Sequence, residues 1–409
     1  MAFKGYGVSR VDGKVVFVPY TAVGDEVWVE IIEEKKNYAT GGLIEVLVPS
    51  SSRVEPPCRY FGRCGGCQWQ QMRYAQQVEQ KKEILKNILT RLGGLKEIPP
   101  VTAFPCPDPY DYRTRVQLKV KGEKLGYYEE RSHHLVGIER CPIAHPLVNQ
   151  ILSLLQKEES LLFSMEEIEI NVSPEEGKGV LIFYFLKKSQ EWESSVRQFL
   201  TSHPVLKGIT NLRERQTTLL GEPHLNFTIP LNLKLRTSPG SFFQVNLKQN
   251  EKLILKVLEF SDGQRNERVL DLYSGVGNFT LPLATVTKEV WGIEENAVAV
   301  KDACFNTQFN GIENSKFIHG KVEEVLKGWK GDKPDLVILD PPRTGCKGVV
   351  DQVAGFKPKK IVYVSCEPTI LARDLRLFSR GGYYLRELAL IDMFPQTYHM
   401  EVVALLQQS

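Results

Sequence analysis

Hydrophobic and polar residues alternate with different periods along the chain, and the changes of period divide it into three parts. In the first 50 residues, short apolar runs are separated by turns, and the segment EVWVEI at 26–31 alternates strictly. A period of two is typical of a half-buried strand. We therefore expect a small β-barrel of the OB type over residues 1–50, followed by the linker PSSSRVEPP.

The middle part, residues 51–235, contains a charged amphipathic segment and a basic strand. Residues 71–93 have helical spacing and end at Gly93 and Gly94, which predict a helix stop. Every second side chain of the strand at 112–123 is long and polar, namely Arg113, Arg115, Gln117, Lys119 and Lys121. This face is either the solvated side of an antiparallel sheet or a track for phosphates, where lysine and arginine release counterions.

Strands and helices alternate in the last part of the chain. Five apolar strand segments are separated by helical segments, and two further strands with a short connection follow near the C-terminus. Such alternation is typical of a doubly wound parallel sheet, and the closing pair indicates a terminal antiparallel strand. We therefore predict an α/β domain with a seven-stranded sheet over residues 236–409.

The composition is that of an ordinary globular protein with two or three domains. The 409 residues are 42% hydrophobic and 25% charged, and the net charge of +3 is weak evidence for any partner. No apolar run approaches the ~18 residues of a membrane span, and the N-terminus lacks a signal-peptide core. We expect a cytoplasmic protein without membrane contact. In that compartment, eight cysteines indicate metal or catalytic roles before disulfides.

A glycine turn follows the first strand of the C-terminal part. Asp271 ends that strand, and Gly275 and Gly277 lie in the turn before a helix, where backbone can approach a ligand. Glu294 ends the next strand, 19 residues after Gly275, where a carboxylate can accept hydrogen bonds from ribose hydroxyls. Thr280 replaces the third glycine of the dinucleotide-binding motif. The pattern therefore favours S-adenosylmethionine over a dinucleotide.

Three further residues of the C-terminal part have chemistry that packing alone does not require. Asp340 and Cys366 end two predicted strands and should line one pocket at the carboxyl edge of the sheet. Cys366 is either a small buried hydrophobe or a thiolate favoured by the following helix N-terminus. Glu401, which lies just after His399 in the last strand, is either an exposed edge carboxylate or a functional group, because burying an unpaired carboxylate is costly.

A second cluster of cysteines precedes the amphipathic segment. Cys58, Cys64 and Cys67 have the spacing C-x5-C-x2-C, and Cys141 is a fourth candidate ligand. Four thiolates suit structural zinc and iron–sulfur clusters alike, so the spacing leaves both metals open.

Several of these segments resemble the signature blocks of one enzyme family, the RNA 5-methyluridine (uracil-C5) methyltransferases. The resembling blocks are DLYSGVGNFTLPLA, DPPRTG, IVYVSCEPTILARDL and DMFPQTYHMEVVALL, together with SPGSFFQVN at 238–246. Residues 1–50 resemble a TRAM domain. The resemblance implies a Rossmann-like methyltransferase domain, with the helical segment 71–95 packed on it, a TRAM barrel and a central α+β iron–sulfur domain that binds RNA.

The resemblance also implies a role for each candidate residue. It implies that Cys366 is the nucleophile and Glu401 the general base. Contacts to S-adenosylmethionine are implied for Gln244, Tyr273, Glu294 and Asp340. A 4Fe–4S cluster, rather than zinc, is implied for Cys58, Cys64, Cys67 and Cys141.

The substrate implied by the resemblance is uridine in 23S ribosomal RNA, methylated at C5 by a monomeric enzyme. Transfer-RNA members of the family generally lack both the N-terminal barrel and the cysteine cluster, and this chain has both. A transfer-RNA uridine-C5 methyltransferase, a catalytically silent RNA-binding protein and an iron–sulfur redox protein are the alternatives.

Overall fold

A computed structural model describes residues 1–162, 165–185, 190–211 and 219–408 of the chain. In the N-terminal part, the described residues form a four-stranded sheet of order β1-β2-β4-β3. The strands are β1 (Gly7–Val11), β2 (Lys14–Val18), β3 (Glu26–Glu34) and β4 (Tyr38–Val48). No pairing between β1 and β3 closes the sheet within these residues, so the expected barrel is an open sheet here.

The strict alternation of β3 gives alternating burial only as far as Val29. Val29 is half-buried between exposed neighbours and packs on the small core of Val16, Val18 and Ala39. Ile31 continues the same face, but it lies opposite Gly41 of β4 and is 48% exposed. The register is continuous from Val29 to Ile31, so this exposure does not come from a bulge.

The central part combines helices with a second sheet. Its elements are α1 (Tyr74–Arg91), β5 (Val101–Phe104), β6 (Arg115–Lys121), β7 (Lys124–Tyr128), β8 (Leu135–Gly137), α2 (Pro146–Leu155), α3 (Glu159–Leu162), β9 (Met165–Ser173), β10 (Lys178–Phe185), α4 (Gln190–Ser202), β11 (Leu206–Asn211), β12 (Leu219–Gly221), β13 (Leu225–Ile229), a 3-10 turn (Pro230–Asn232) and β14 (Leu233–Thr237). Seven of the described strands form a sheet of order β12-β11-β10-β9-β6-β7-β8, and β13 pairs separately with β14.

The basic face of β6 is largely neutralised by the neighbouring strand. Arg115 forms an ion pair of 2.9 Å with Glu169 of β9. Lys119 pairs with Glu167 of the same strand. Since charges already paired within a sheet attract phosphates less, β6 is a poor candidate for an RNA track.

The C-terminal part contains the large α/β sheet. Its elements are α5 (Leu247–Ser261), β15 (Arg268–Leu272), α6 (Thr280–Ala284), β16 (Glu289–Glu294), α7 (Ala297–Phe309), β17 (Ser315–His319), α8 (Val322–Lys327), β18 (Leu336–Leu339), α9 (Val350–Phe356), β19 (Lys360–Ser365), α10 (Pro368–Arg380), β20 (Tyr383–Ile391) and β21 (Glu401–Gln408). Throughout the described residues, no helix is both long and apolar enough to span a membrane.

Eight strands form this sheet in the described part of the chain, one more than expected. The order is β17-β16-β15-β18-β19-β21-β20-β5, and β21 is antiparallel to both of its neighbours. The additional strand β5 pairs in parallel with β20 although more than 280 residues separate them. Residues 236–409 contain the seven expected strands, and the eighth comes from the central part of the chain, where local periodicity does not indicate so distant a pairing.

Helix α1 packs on the methyltransferase-like sheet despite its early position in the chain. Leu85 and Leu89 share one buried core with Leu371 and Leu375 of α10. The helix begins at Tyr74 and ends at Arg91, within the predicted segment. It therefore belongs to the packing of the C-terminal sheet rather than to the central one.

Candidate active site

Strand pairing brings Cys366 and Glu401 to the same point of the sheet. Ser365 at the end of β19 pairs with Val402 of the antiparallel β21. The next residues in the two directions, Cys366 and Glu401, therefore lie opposite each other. Asp340 follows β18, the parallel neighbour of β19, and ends at the same edge. The structure thus brings together the three C-terminal candidates that the sequence placed on separate strands.

The surroundings of Cys366 favour its protonated thiol over the thiolate. Burial, followed by the Glu401 and Asp340 carboxyl groups, raises the pKa of Cys366 to about 12. Burial and Asp340 also raise the pKa of Glu401 well above its ordinary value. Desolvation and the nearby carboxyl groups thus oppose the effect of the helix N-terminus on this thiol.

Arg343 is a functional candidate that the sequence reasoning missed. It lies three residues after Asp340, and its guanidinium acts to lower the pKa of both Cys366 and Glu401. It acts in the same sense on His399, whose pKa burial chiefly lowers to about 4. The signal was available, since a cation in the loop after Asp340 must lie at the shared edge of the sheet.

The glycine turn after β15 forms a backbone cradle around Glu294. The Gly275 N–H donates to Glu294 Oε2 at 3.0 Å, and the Asn296 N–H donates to Oε1 at 2.7 Å. Tyr273 begins the turn in the left-handed region, with φ of 65°, which costs a non-glycine residue about 1–2 kcal/mol. Gly277 has φ of 94°, a conformation that residues with a Cβ rarely adopt, so the turn favours glycine there.

The buried polar groups around this turn fit a cationic ligand that also donates hydrogen bonds. Asp271 Oδ1 and Ser274 Oγ are buried without a hydrogen-bond partner among the described residues. Burial raises the pKa of Asp271 to about 7, and Glu294 adds to the effect. Burial, Asp271 and Glu294 also raise the pKa of Asp340. S-adenosylmethionine, with a sulfonium, an ammonium and ribose hydroxyls, suits such a set of acceptors.

Thr280 shows why the third glycine of the dinucleotide motif is absent. The Thr280 hydroxyl donates to Asp271 Oδ2, the second oxygen of the carboxyl group whose first oxygen has no partner. A glycine at this position would remove the hydroxyl donor and leave the buried Asp271 with only the backbone hydrogen bond from residue 280. Thr280, which in the sequence is only a departure from the dinucleotide-binding motif, therefore makes a structural contact within the turn.

Gln244 lies in a different environment from the other cofactor candidates. It is buried in the segment before α5 and lines a small cleft with Thr114, Arg115 and Ser241. Asn296 connects the Gln244 segment to the edge of the sheet, because its side-chain amide donates a hydrogen bond to the Gly240 carbonyl at 2.8 Å. This bond ties the segment that carries Gln244 to the loop after Glu294.

The four candidate cysteines surround one cavity of about 260 Å³. Burial, followed by the neighbouring Cys141 and Cys58, raises the pKa of Cys64 to about 11. The Gly66 N–H approaches Cys64, and the Ile143 and Ala144 N–H groups approach Cys141, each favouring a thiolate. Within the described residues, no group of three or more His, Cys, Asp or Glu side chains is arranged to hold a metal ion. The thiols converge on a cavity larger than a single ion fills.

Known proteins resemble the chain over nearly its whole length. The family model described as tRNA (Uracil-5-)-methyltransferase matches residues 73–409, and the TRAM domain model matches residues 2–44. An Aquifex aeolicus protein named uncharacterized RNA methyltransferase is 35% identical, over 100% of this chain and 96% of the relative. A Vibrio vulnificus 23S rRNA (uracil(1939)-C(5))-methyltransferase is 32% identical, over 99% and 94%.

A solved structure extends the likeness to three dimensions. The crystal structure is that of Pyrococcus abyssi tRNA (uracil-54, C5)-methyltransferase in complex with S-adenosyl-L-homocysteine. It superimposes with a TM-score of 0.78 at 27% identity and covers 98% of this chain and 99% of its own.

Replacing Asp340 with Asn should make the Cys366 thiol more reactive at alkaline pH. The substitution removes one of the two carboxylates that raise the thiol pKa, and only the thiolate is alkylated. Each unit by which the pKa falls should give about tenfold faster alkylation at pH values below it. Iodoacetamide labelling of the Cys366 peptide, quantified by mass spectrometry across a pH series, measures the shift. Asp351→Asn, which changes an exposed aspartate in α9, is the matched control. Identical profiles for Asp340→Asn and the unmodified protein would contradict the proposed charge effect.

Proposed function

The chain belongs to the tRNA (uracil-5-)-methyltransferase family and is an S-adenosylmethionine-dependent RNA (uracil-C5)-methyltransferase, and on this premise we propose that it methylates a uridine of 23S ribosomal RNA through a covalent bond from Cys366. One observation supports this mechanism above the others. Cys366 and Glu401 lie opposite each other on antiparallel strands, beside Asp340 and the glycine turn.

Uracil C5 is a weak nucleophile, and Cys366 would make it a stronger one. As Sγ loses its proton and bonds to C6, the electrons of the C5–C6 double bond move to the C4 oxygen and form an enolate. Bound S-adenosylmethionine supplies an electrophilic methyl group on a sulfonium. After C5 has taken the methyl group, Glu401 removes the C5 proton, the double bond returns and the bond between Sγ and C6 breaks.

The charges around Cys366 affect how easily the Cys366 thiol and the Glu401 carboxyl group lose their protons. Arg343 acts to lower the pKa of both Cys366 and Glu401, which favours their reactive, ionised forms. A bound sulfonium at the same edge would act in the same direction. We assign contacts with the cofactor to Gln244, Tyr273, Glu294 and Asp340. The unpaired Asp271 Oδ1 and Ser274 Oγ support a ligand in this place.

Replacing Glu401 with Gln should stop the reaction after methyl transfer. The variant keeps the Cys366 nucleophile but lacks the base that releases the product, so a denaturant-resistant protein–RNA complex should accumulate. Gel electrophoresis with labelled RNA measures the complex, and the additional change Cys366→Ala should abolish it. Glu387→Gln, at an exposed position of β20, is the control and should turn over normally. Loss of turnover without a trapped complex would reject Glu401 as the base.

The four cysteines fit a 4Fe–4S cluster better than a single zinc ion. All four thiols line one cavity, and backbone N–H groups approach two of them, as is common around iron–sulfur clusters. Cys58, Cys64, Cys67 and Cys141 would hold the cluster, which would then join the loop before α1 to the segment before α2. Its role in this proposal is structural.

Protein purified without air should be brown and contain about four irons per chain, as four-thiolate ligation of this cluster requires. Metal analysis and the visible absorption spectrum measure both properties. Cys64→Ala should lose most of the iron, whereas Cys304→Ala, which changes an exposed cysteine, should retain it. About one zinc per chain and no iron in the anaerobic protein would overturn the assignment.

Two observations point to different RNA substrates. The Vibrio relative, whose name specifies 23S ribosomal RNA, matches almost the whole chain, and the chain combines a TRAM domain with four clustered cysteines. The Pyrococcus structure, whose name specifies transfer RNA, supports the alternative. We favour ribosomal RNA, and with it a cytoplasmic monomer. A catalytically silent RNA-binding protein is disfavoured, because it would not require Cys366 opposite Glu401.

Offered equal amounts of both substrates, the purified protein should methylate a 23S ribosomal RNA transcript and leave unmodified transfer RNA nearly unlabelled. Transfer of a tritiated methyl group, followed by mapping of 5-methyluridine, measures the preference. Deleting residues 1–50 should weaken binding to the ribosomal transcript more than binding of the cofactor, since the cofactor residues lie in the C-terminal part. Efficient methylation of transfer RNA alone would reject the ribosomal assignment.

A further inference from the structure

The loop of residues 392–400 joins β20 to β21 and leads directly into Glu401. Hydrogen bonds to consecutive backbone positions hold this loop in place. Each of its first five carbonyl oxygens accepts a hydrogen bond from outside the loop. The bonds are Gln249 Nε2 to Asp392 (3.1 Å), Asn246 Nδ2 to Met393 (3.2 Å), Lys81 Nζ to Phe394 (3.0 Å), Tyr112 OH to Pro395 (3.1 Å) and Trp69 N to Gln396 (3.0 Å). Connecting loops are usually solvated, so such complete bonding indicates a fixed conformation.

The loop also contains a strained residue that one side chain of α1 clamps. Gln396 has φ of 68°, in the left-handed region that a side chain disfavours. Gln77 is buried, accepts from the Gln396 N–H at 3.0 Å and donates to Gln396 Oε1 at 2.9 Å. These two bonds satisfy both the backbone and the side chain of the strained residue.

A buried ion pair holds the start of the loop. Lys81 Nζ lies 2.6 Å from Asp392 Oδ1, and both side chains are fully buried. The Tyr74 hydroxyl donates to the other oxygen, Oδ2, at 2.7 Å. Removing one partner of such a pair leaves an uncompensated charge, so the geometry is strongly specified. Tyr74, Gln77 and Lys81 lie on successive turns of α1 and face the same loop.

We propose that Gln77 and Lys81 are positioning residues for Glu401, and that they act through the loop 392–400. This assignment rests on the proposed function, in which Glu401 releases the methylated product. Gln396 O also accepts from the Gln68 and Trp69 N–H groups, which follow Cys67 directly in the chain. Gln396, five residues before Glu401, is therefore bonded both to α1 and to the segment that follows Cys67. Loosening this contact should affect the release of product more than its formation, because Cys366 directly follows β19 and has no part in the loop.

Gln77→Ala provides the test, with rapid-quench kinetics on the full-length protein under single-turnover conditions. Formation of the Cys366-linked complex should stay within about twofold of the unmodified rate. Decay of the methylated complex should slow by about tenfold or more, since proton abstraction depends on accurate placement of the base. Gln76→Ala, which removes a neighbouring glutamine on the more exposed side of α1, is the matched control and should change neither rate.

Gln396→Gly is a second variant that avoids loss of folding. Glycine adopts the positive φ without strain, while the side-chain bond to Gln77 is lost, so slow decay of the complex is again expected. Equal slowing of formation and decay in both variants, or decay at the unmodified rate, would overturn the positioning role. The proposed function fails separately: if Glu401→Gln traps no complex, the base assignment is wrong, whereas a trapped complex in Glu401→Gln with normal decay in Gln77→Ala rejects only the positioning role.

Discussion

The antiparallel pairing of β21 between β19 and β20 is the constraint on which the site depends. The other sheet strands that carry candidate residues run parallel and present their carboxyl ends at one edge, whereas β21 runs in the opposite direction and presents its first residue there. Only this reversal allows a residue at the start of a strand, Glu401, to face Cys366 at the end of another. The same reversal requires a loop between β20 and β21, so the position of the base depends on how that loop is held.

Electrostatics at this edge favour the protonated forms of its acidic groups. Asp271, Asp340, Glu401 and Cys366 all have raised pKa values. Burial is the principal cause in every case, and mutual repulsion among the carboxylates adds to it. A cationic ligand would relieve the repulsion and favour the ionised forms. Binding of the cofactor and activation of the thiol are thus expected to be linked by charge alone.

The early part of the chain supports the late part through packing and hydrogen bonds. Helix α1 shares a core with α10, its Lys81 pairs with Asp392, and the segment after Cys67 donates to Gln396. Strand β5 extends the catalytic sheet beside β20. The cysteine-containing segment is consequently in contact with the loop that precedes Glu401.

The sequence by itself determined the α/β class, the seven strands with alternating helices, the glycine turn and the shared edge of Asp340 and Cys366, because local periodicity and strand polarity suffice for these. Only the tertiary structure decided the eighth strand, the exposure of Ile31 and the bond from Thr280 to Asp271. It also decided that Glu401 is buried and that burial and nearby carboxyl groups raise the pKa of Cys366. Burial and the charges around a group come from residues far apart in the chain, so no local pattern records them.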